Sequence, residues 1–139
     1  LHIGTPSIFG TAPLLGALEM IAEAGGVEAL RRHSLALTDF LIAQIDAGLA
    51  ALGFTIVTPR AAPGRGGHVA IAHPEAWRMC QALKSAGVVP DFREPDIIRL
   101  APAPFYTSFS DCETAVARLK RIAERREFET FDRAPSLVP

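Results

Sequence analysis

Val88-Val89-Pro90-Asp91-Phe92-Arg93-Glu94-Pro95-Asp96-Ile97-Ile98-Arg99-Leu100 decides the fold. Val88 to Phe92 and Ile97 to Leu100 are rich in β-branched and aromatic side chains and read as two strands around a Glu94-Pro95 turn. Arg99 closes the second strand, and the loop after it, Ala101-Pro102-Ala103-Pro104-Phe105-Tyr106, is punctuated by proline and ends in aromatics. A guanidinium is always charged and forks onto a carboxylate with two parallel hydrogen bonds. These residues alone leave two readings of Arg99. It is a surface ion pair, of a kind usually worth about 0 to 1 kcal/mol, or it is a receptor for an acidic small molecule.

Working outward, Phe54 to Thr58 reads as a short strand ended by Pro59, and His68 to Ala72 as another after a Pro/Gly-rich loop over Ala61 to Gly67. Pro74 and Glu75 begin a helix whose Ala76, Met79, Cys80 and Leu83 face inward. Upstream, Thr11, Ala12 and Pro13 suit a helix start, and Leu14, Leu15, Leu18, Ile21 and Ala22 keep a 3.6-residue period until Gly25-Gly26. A longer helix follows, with Leu30, Leu37, Leu41, Ile45, Leu49 and Leu52 on one stripe and Gly53 at its end. Ser110 and Glu113 suggest a capping box for the last helix, with Cys112, Ala115, Val116, Leu119 and Ile122 inward. From Phe128 the chain has no clear period, and a tail over residues 128–139 is expected, partly disordered or packed on a neighbour. Strands joined by hairpins and interrupted by helices predict an α+β fold: a small antiparallel or mixed sheet covered by helices on one face.

The chain has 139 residues, 49% of them apolar, and 14 basic against 15 acidic side chains. That suits one domain with a continuous core. No basic excess exists to neutralise phosphates, so nucleic acid is not an expected partner. No apolar run approaches the ~20 residues that span a bilayer, and no basic-then-apolar leader opens the sequence. A cytoplasmic protein with no membrane partner is expected. The first residue is Leu1 rather than Met, which suggests a fragment.

Several motifs read as structure. Cys80 and Cys112 match no metal or disulfide spacing and are expected as reduced core residues. His68 and His73 lack ligand partners at metal spacing, so no metal is expected. The Gly64 to Gly67 loop has no phosphate-binding spacing and leads into a strand. His33, Ser34 and Asp39 lie on one helix and cannot converge as a triad. Trp77, Phe105 and Tyr106 are expected to pack in the core or a lid, with contact to an aryl substrate as the other reading of Phe105 and Tyr106.

Four blocks, in order, resemble the C-terminal part of the kynureninase family. They are Gly4-Thr5-Pro6 before an apolar helix; Arg32-His33-Ser34-Leu35-Ala36-Leu37-Thr38; Arg65-Gly66-Gly67-His68-Val69 leading to His73-Pro74; and Gly87-Val88-Val89-Pro90-Asp91-Phe92-Arg93 through Arg99 to Pro104-Phe105-Tyr106. The resemblance implies the C-terminal small domain of a pyridoxal-phosphate (PLP) enzyme of fold type I, over residues 1–127, with residues 1–25 a helix bridging to a large PLP-binding domain. It implies that the complete enzyme, a homodimer of tryptophan catabolism, is a hydrolase cleaving kynurenine to anthranilate and alanine. Arg99 would bind the substrate carboxylate, and Thr5 with Gly4 would contact the cofactor phosphate. No catalytic residue is assigned to this chain. Lys84 and Lys120 lie on helices outside any cofactor-lysine context, so the chain alone is expected to be inactive and not to hold PLP stably. The alternatives are a non-catalytic module that self-associates or binds carboxylates, and the small domain of another fold-type I enzyme such as a cysteine desulfurase or aminotransferase.

Overall fold

The computed structural model describes residue 4 and residues 7–133. The hairpin around Pro95 forms as expected: β3 (Asp91–Arg93) and β4 (Ile97–Leu100) pair antiparallel, with Asp91 opposite Arg99 and Phe92 opposite Ile98. β3 is shorter than the expected Val88–Phe92 strand for a local reason. The Val88 N–H bonds the Leu83 carbonyl at 2.9 Å and so closes the preceding helix, while Pro90 has no N–H to give a ladder.

β2 (Val69–Ala72) flanks β4 on its other side, setting Val69 opposite Leu100 and Ala70 opposite Arg99. β1 (Thr55–Ile56) pairs with β2 and completes an antiparallel sheet of order β1-β2-β4-β3. The expected Phe54–Thr58 strand is cut to two residues. Val57 and Thr58 both donate to the Ala70 carbonyl, and the Thr58 hydroxyl takes the Ala70 N–H at 2.7 Å, which ends the regular ladder.

Directly paired residues share a face, and successive residues alternate. Ile56, Val69, Ile71, Phe92, Ile98 and Leu100 therefore lie on one face, and Thr55, Ala70, Ala72, Asp91, Arg93, Ile97 and Arg99 on the other. The first face is covered by α2 (Gly26–Gly48), α3 (Ala76–Ser85) and α4 (Phe109–Glu124). Leu37, Leu41 and Ile45 of α2, Met79, Cys80 and Leu83 of α3, and Cys112, Val116, Leu119 and Ile122 of α4 close the core with Val69, Ile71, Ile98 and Leu100. Full burial of such side chains is worth about 1.5–3 kcal/mol each. This is the α+β arrangement the sequence predicts, with helices on one face of an antiparallel sheet.

Two helix starts differ from expectation. α1 (Ile8–Glu23) begins at Ser7, whose hydroxyl accepts from the Gly10 N–H at 3.2 Å, so Pro13 lies inside the helix rather than in its first turn. α4 is capped by Ser108 and Asp111, not by Ser110 and Glu113: the Ser108 hydroxyl accepts from Asp111 N–H at 3.1 Å, and the Asp111 carboxylate accepts from Ser108 N–H at 2.8 Å. Aspartate replaces the longer glutamate of the usual box and shifts the start by two residues.

The segment expected as a loose tail is packed at its beginning. Glu127–Thr130 forms a 3-10 turn, Phe128 is buried, and Arg78 of α3 donates to the carbonyls of Phe131 at 2.9 Å and Glu129 at 2.6 Å. The rest of the tail, 134–139, lies outside the described residues. α1 contrasts with the other helices: none of its residues is buried, and Phe9 is 95% exposed. Leu14, Leu15 and Leu18, which carry the apolar period read from the sequence, are all exposed.

Candidate functional site

Arg99 projects from β4 on the sheet face that carries no helix, and 32% of its side chain is exposed. Strand pairing fixes its neighbours. On the β2 side stands Ala70, with a single methyl group that leaves the guanidinium uncovered; on the β3 side stands Asp91. Asp91 Oδ2 accepts from Arg99 Nε at 2.8 Å and also from Arg99 Nη2. The same oxygen accepts from Arg93 Nε at 3.1 Å. These donors, Arg99 first, hold the Asp91 carboxyl below the usual carboxylate range. Among the described residues Arg99 Nη1 donates to none. The ion-pair reading of this arginine is thus present in the geometry on one edge, and among the described residues the other edge has no acceptor.

A cavity of about 290 Å³ lies on the opposite, helical side of the sheet, lined in part by Leu41, Val88, Leu100, Pro102, Cys112 and Arg118. It is not where Arg99 points. Phe105 and Tyr106 sit in a turn after β4 and are exposed, which removes the core from the expected core or lid packing. Trp77 does pack, edge to face with Phe92 at 5.4 Å.

Gly4 has φ +116, a conformation open to glycine, with no atom within 4 Å of a built Cβ. Thr5, the other residue expected at the cofactor phosphate, lies outside the described residues. Lys84 and Lys120 are exposed on α3 and α4, and Lys120 lies 3.8 Å from Glu124. Neither lysine is enclosed, so neither is set in a pocket that would hold an aldehyde cofactor. The cysteines are free and buried; burial pushes the Cys80 thiol up to about 12 and raises that of Cys112, which keeps both protonated and inert. His73 is a packing residue: it stacks on Phe54 at 4.4 Å, its Nδ1 accepts from the Glu75 N–H at 3.0 Å, and burial lowers its pKa.

Sequence reasoning assigned no role to Asp91. The signal was available: a hairpin centred on Pro95 sets the residue four before it against the residue four after. It also missed two buried arginines. Arg65, in the loop read as Pro/Gly-rich and given no role of its own, is buried, donates to the Arg60 carbonyl at 2.8 Å and to Asp39, and leaves Nε without a partner. Arg31 donates to the carbonyls of Ala62 at 2.9 Å and Arg65 at 2.7 Å, so two arginines tie the β1–β2 loop onto α2. Arg78 does the same for the segment after α4. Carbonyl acceptors in loops have no sequence signature.

Residues 30–119 match the family model described as the kynureninase C-terminal domain. The chain belongs to the kynureninase family. Curated relatives include the kynureninase of Geobacillus thermodenitrificans (strain NG80-2), 42% identical over 137 residues that cover 99% of this chain and 32% of the relative. The kynureninase of Bacillus anthracis is 43% identical over the same shares. The chain therefore spans about a third of the length of the kynureninases it matches. Among solved structures, a NifS-like protein superposes with a TM-score of 0.70 at 17% identity, covering 88% of this chain and 35% of that one. At that identity the likeness is one of fold, and the fold is the one the family resemblance implied. Among the described residues no single helix is long and apolar enough to cross a membrane.

Proposed function

We propose that this kynureninase-family domain supplies the substrate-carboxylate site of a complete, homodimeric, cytoplasmic PLP-dependent hydrolase that cleaves kynurenine to anthranilate and alanine. The observation that carries the proposal is Arg99: a guanidinium set by strand pairing on the helix-free face of the sheet, beside Ala70, with Nη1 uncommitted among the described residues. Its end-on fork matches a carboxylate in shape and charge. Binding the α-carboxylate there fixes the rest of the amino acid relative to the reacting bond, and orientation of that kind lowers a barrier without a chemical step by the arginine itself. PLP, when bound to the complete enzyme, supplies the electron sink for the cleavage. In this reading the cofactor lysine lies outside the chain, Gly4 and Thr5 approach the cofactor phosphate, and residues 1–127 form the small domain. The chain alone is then inactive. α1, apolar and without buried residues, would meet the large domain or the second subunit.

The test is anthranilate fluorescence on adding L-kynurenine to the complete enzyme. Activity is expected for the complete enzyme and none for the 139-residue chain, and Arg99→Ala is expected to raise KM by roughly 100-fold, the size of losing hydrogen bonds to a charged group. An unchanged KM in Arg99→Ala would remove the carboxylate role.

A further inference from the structure

We propose that Asp91 is a positioning residue for Arg99: its carboxylate holds the guanidinium by one edge so that the other edge faces the substrate carboxylate. This rests on the carboxylate reading of Arg99 given above. Arginine offers two bidentate edges, a lateral one formed by Nε and one Nη2 hydrogen, and an end-on one formed by the remaining hydrogens of Nη1 and Nη2. Asp91 Oδ2 occupies the lateral edge, accepting from Nε at 2.8 Å and from Nη2. The end-on edge is left, and among the described residues Nη1 has no acceptor.

Three observations set this apart from an incidental surface pair. The partners are fixed by the backbone, since Asp91 stands directly opposite Arg99 in the β3–β4 ladder. The short aspartate stem cannot follow the arginine elsewhere, so it defines one guanidinium plane. Arg93, on the same strand as Asp91, donates to that same oxygen at 3.1 Å and gives the carboxylate a second anchor. A long side chain already ordered in its binding pose loses less rotamer freedom when the ligand arrives, a saving that corresponds to roughly 3- to 10-fold in affinity. Asp91 also carries a negative charge near the incoming carboxylate. Positioning predicts that removing Asp91 weakens binding, whereas simple competition for the guanidinium predicts that removing it strengthens binding.

The experiment uses the complete PLP-loaded enzyme with L-kynurenine and compares Arg99→Ala, Asp91→Ala, Asp91→Asn and the Arg99→Ala/Asp91→Ala double variant. Asp91→Ala is expected to raise KM roughly 3- to 10-fold with kcat within about twofold. Asp91→Asn, which keeps an acceptor oxygen without the charge, should recover part of the loss, and it keeps the test open if the alanine variant folds poorly. The double variant should be no worse than Arg99→Ala, because a positioning residue has nothing left to position. If Arg99→Ala raises KM while Asp91→Ala leaves it unchanged or lowers it, the positioning role is overturned and the carboxylate role of Arg99 stands. If Arg99→Ala itself leaves KM unchanged, both fall.

Discussion

The two faces of the sheet are made by alternate residues of the same strands and have little else in common. One face presents Val69, Ile71, Ile98 and Leu100, all buried under three helices. The other presents Ala70, Ala72, Ile97 and Arg99, partly exposed, with a charged row running from Arg99 to Asp91. A buried face is bound by packing density, so its residue choices are about volume. A face left open is free to carry small side chains and a paired charge, and in the proposed reading those choices serve a ligand. Adjacent residues of β4, Ile98 and Arg99, thus belong to different problems.

The sharpest way to break the contrast is to truncate those neighbours. Ile98, fully buried, should lose about 2–5 kcal/mol on Ile98→Ala, read as a shift in urea midpoint at unchanged slope. Arg99→Ala should cost the isolated domain only about 0 to 1 kcal/mol, since it removes a half-exposed ion pair. Equal losses at the two positions would mean that the outer face is structural as well. Arg78→Ala falls between them: it strands the carbonyls of Glu129 and Phe131, and about 1–3 kcal/mol of destabilisation is expected, with faster proteolysis after residue 126.

Filling the outer face sharpens the comparison from the other side. Ala70→Leu should change the domain's stability by about 0.5 kcal/mol or less while raising KM in the complete enzyme, because the added atoms stand beside Arg99. A large stability loss with an unchanged KM would put Arg99's working edge elsewhere.

Acid separates the faces with the smallest effect. His73, on the helix side at the end of β2, has its pKa lowered by burial, so the unfolded chain binds more protons than the folded one below the unperturbed value of 6.5. Its contribution is complete above pH 6.5 and is lost as pH falls through the folded value. Asp91 is lowered from 3.8 by its arginines, and its contribution is lost only below that value. Between pH 7 and pH 5 a decline in urea midpoint is therefore expected to vanish in His73→Phe and to persist in Asp91→Asn.

Much of this was legible in advance, for reasons that differ from one element to the next. The stripe Leu37, Leu41, Ile45 and Leu49 and the alternation of Val69 and Ile71 are repeats of the backbone's own period, and they buried as read. The hairpin at Pro95 followed from turn chemistry. The misplaced cap of α4 shows where such reading thins: Ser108 and Ser110 are both good candidates, and Asp111 decides between them through two hydrogen bonds. Phe128 had no periodic context, so its burial against α3 and α4 was invisible. Arg78 reaches it from fifty residues away.

By itself the sequence determined the helices, the hairpin, the apolar face and the arginine near the end of β4, because each depends on neighbours a few residues apart and on the fixed periods of helix and strand. Only the tertiary structure decided that Ala70 flanks that arginine on its other side, that Arg65 and Arg78 are buried clamps, and that Arg99 lies on the open face. Those facts depend on strand register and on contacts between distant segments, which no local pattern records.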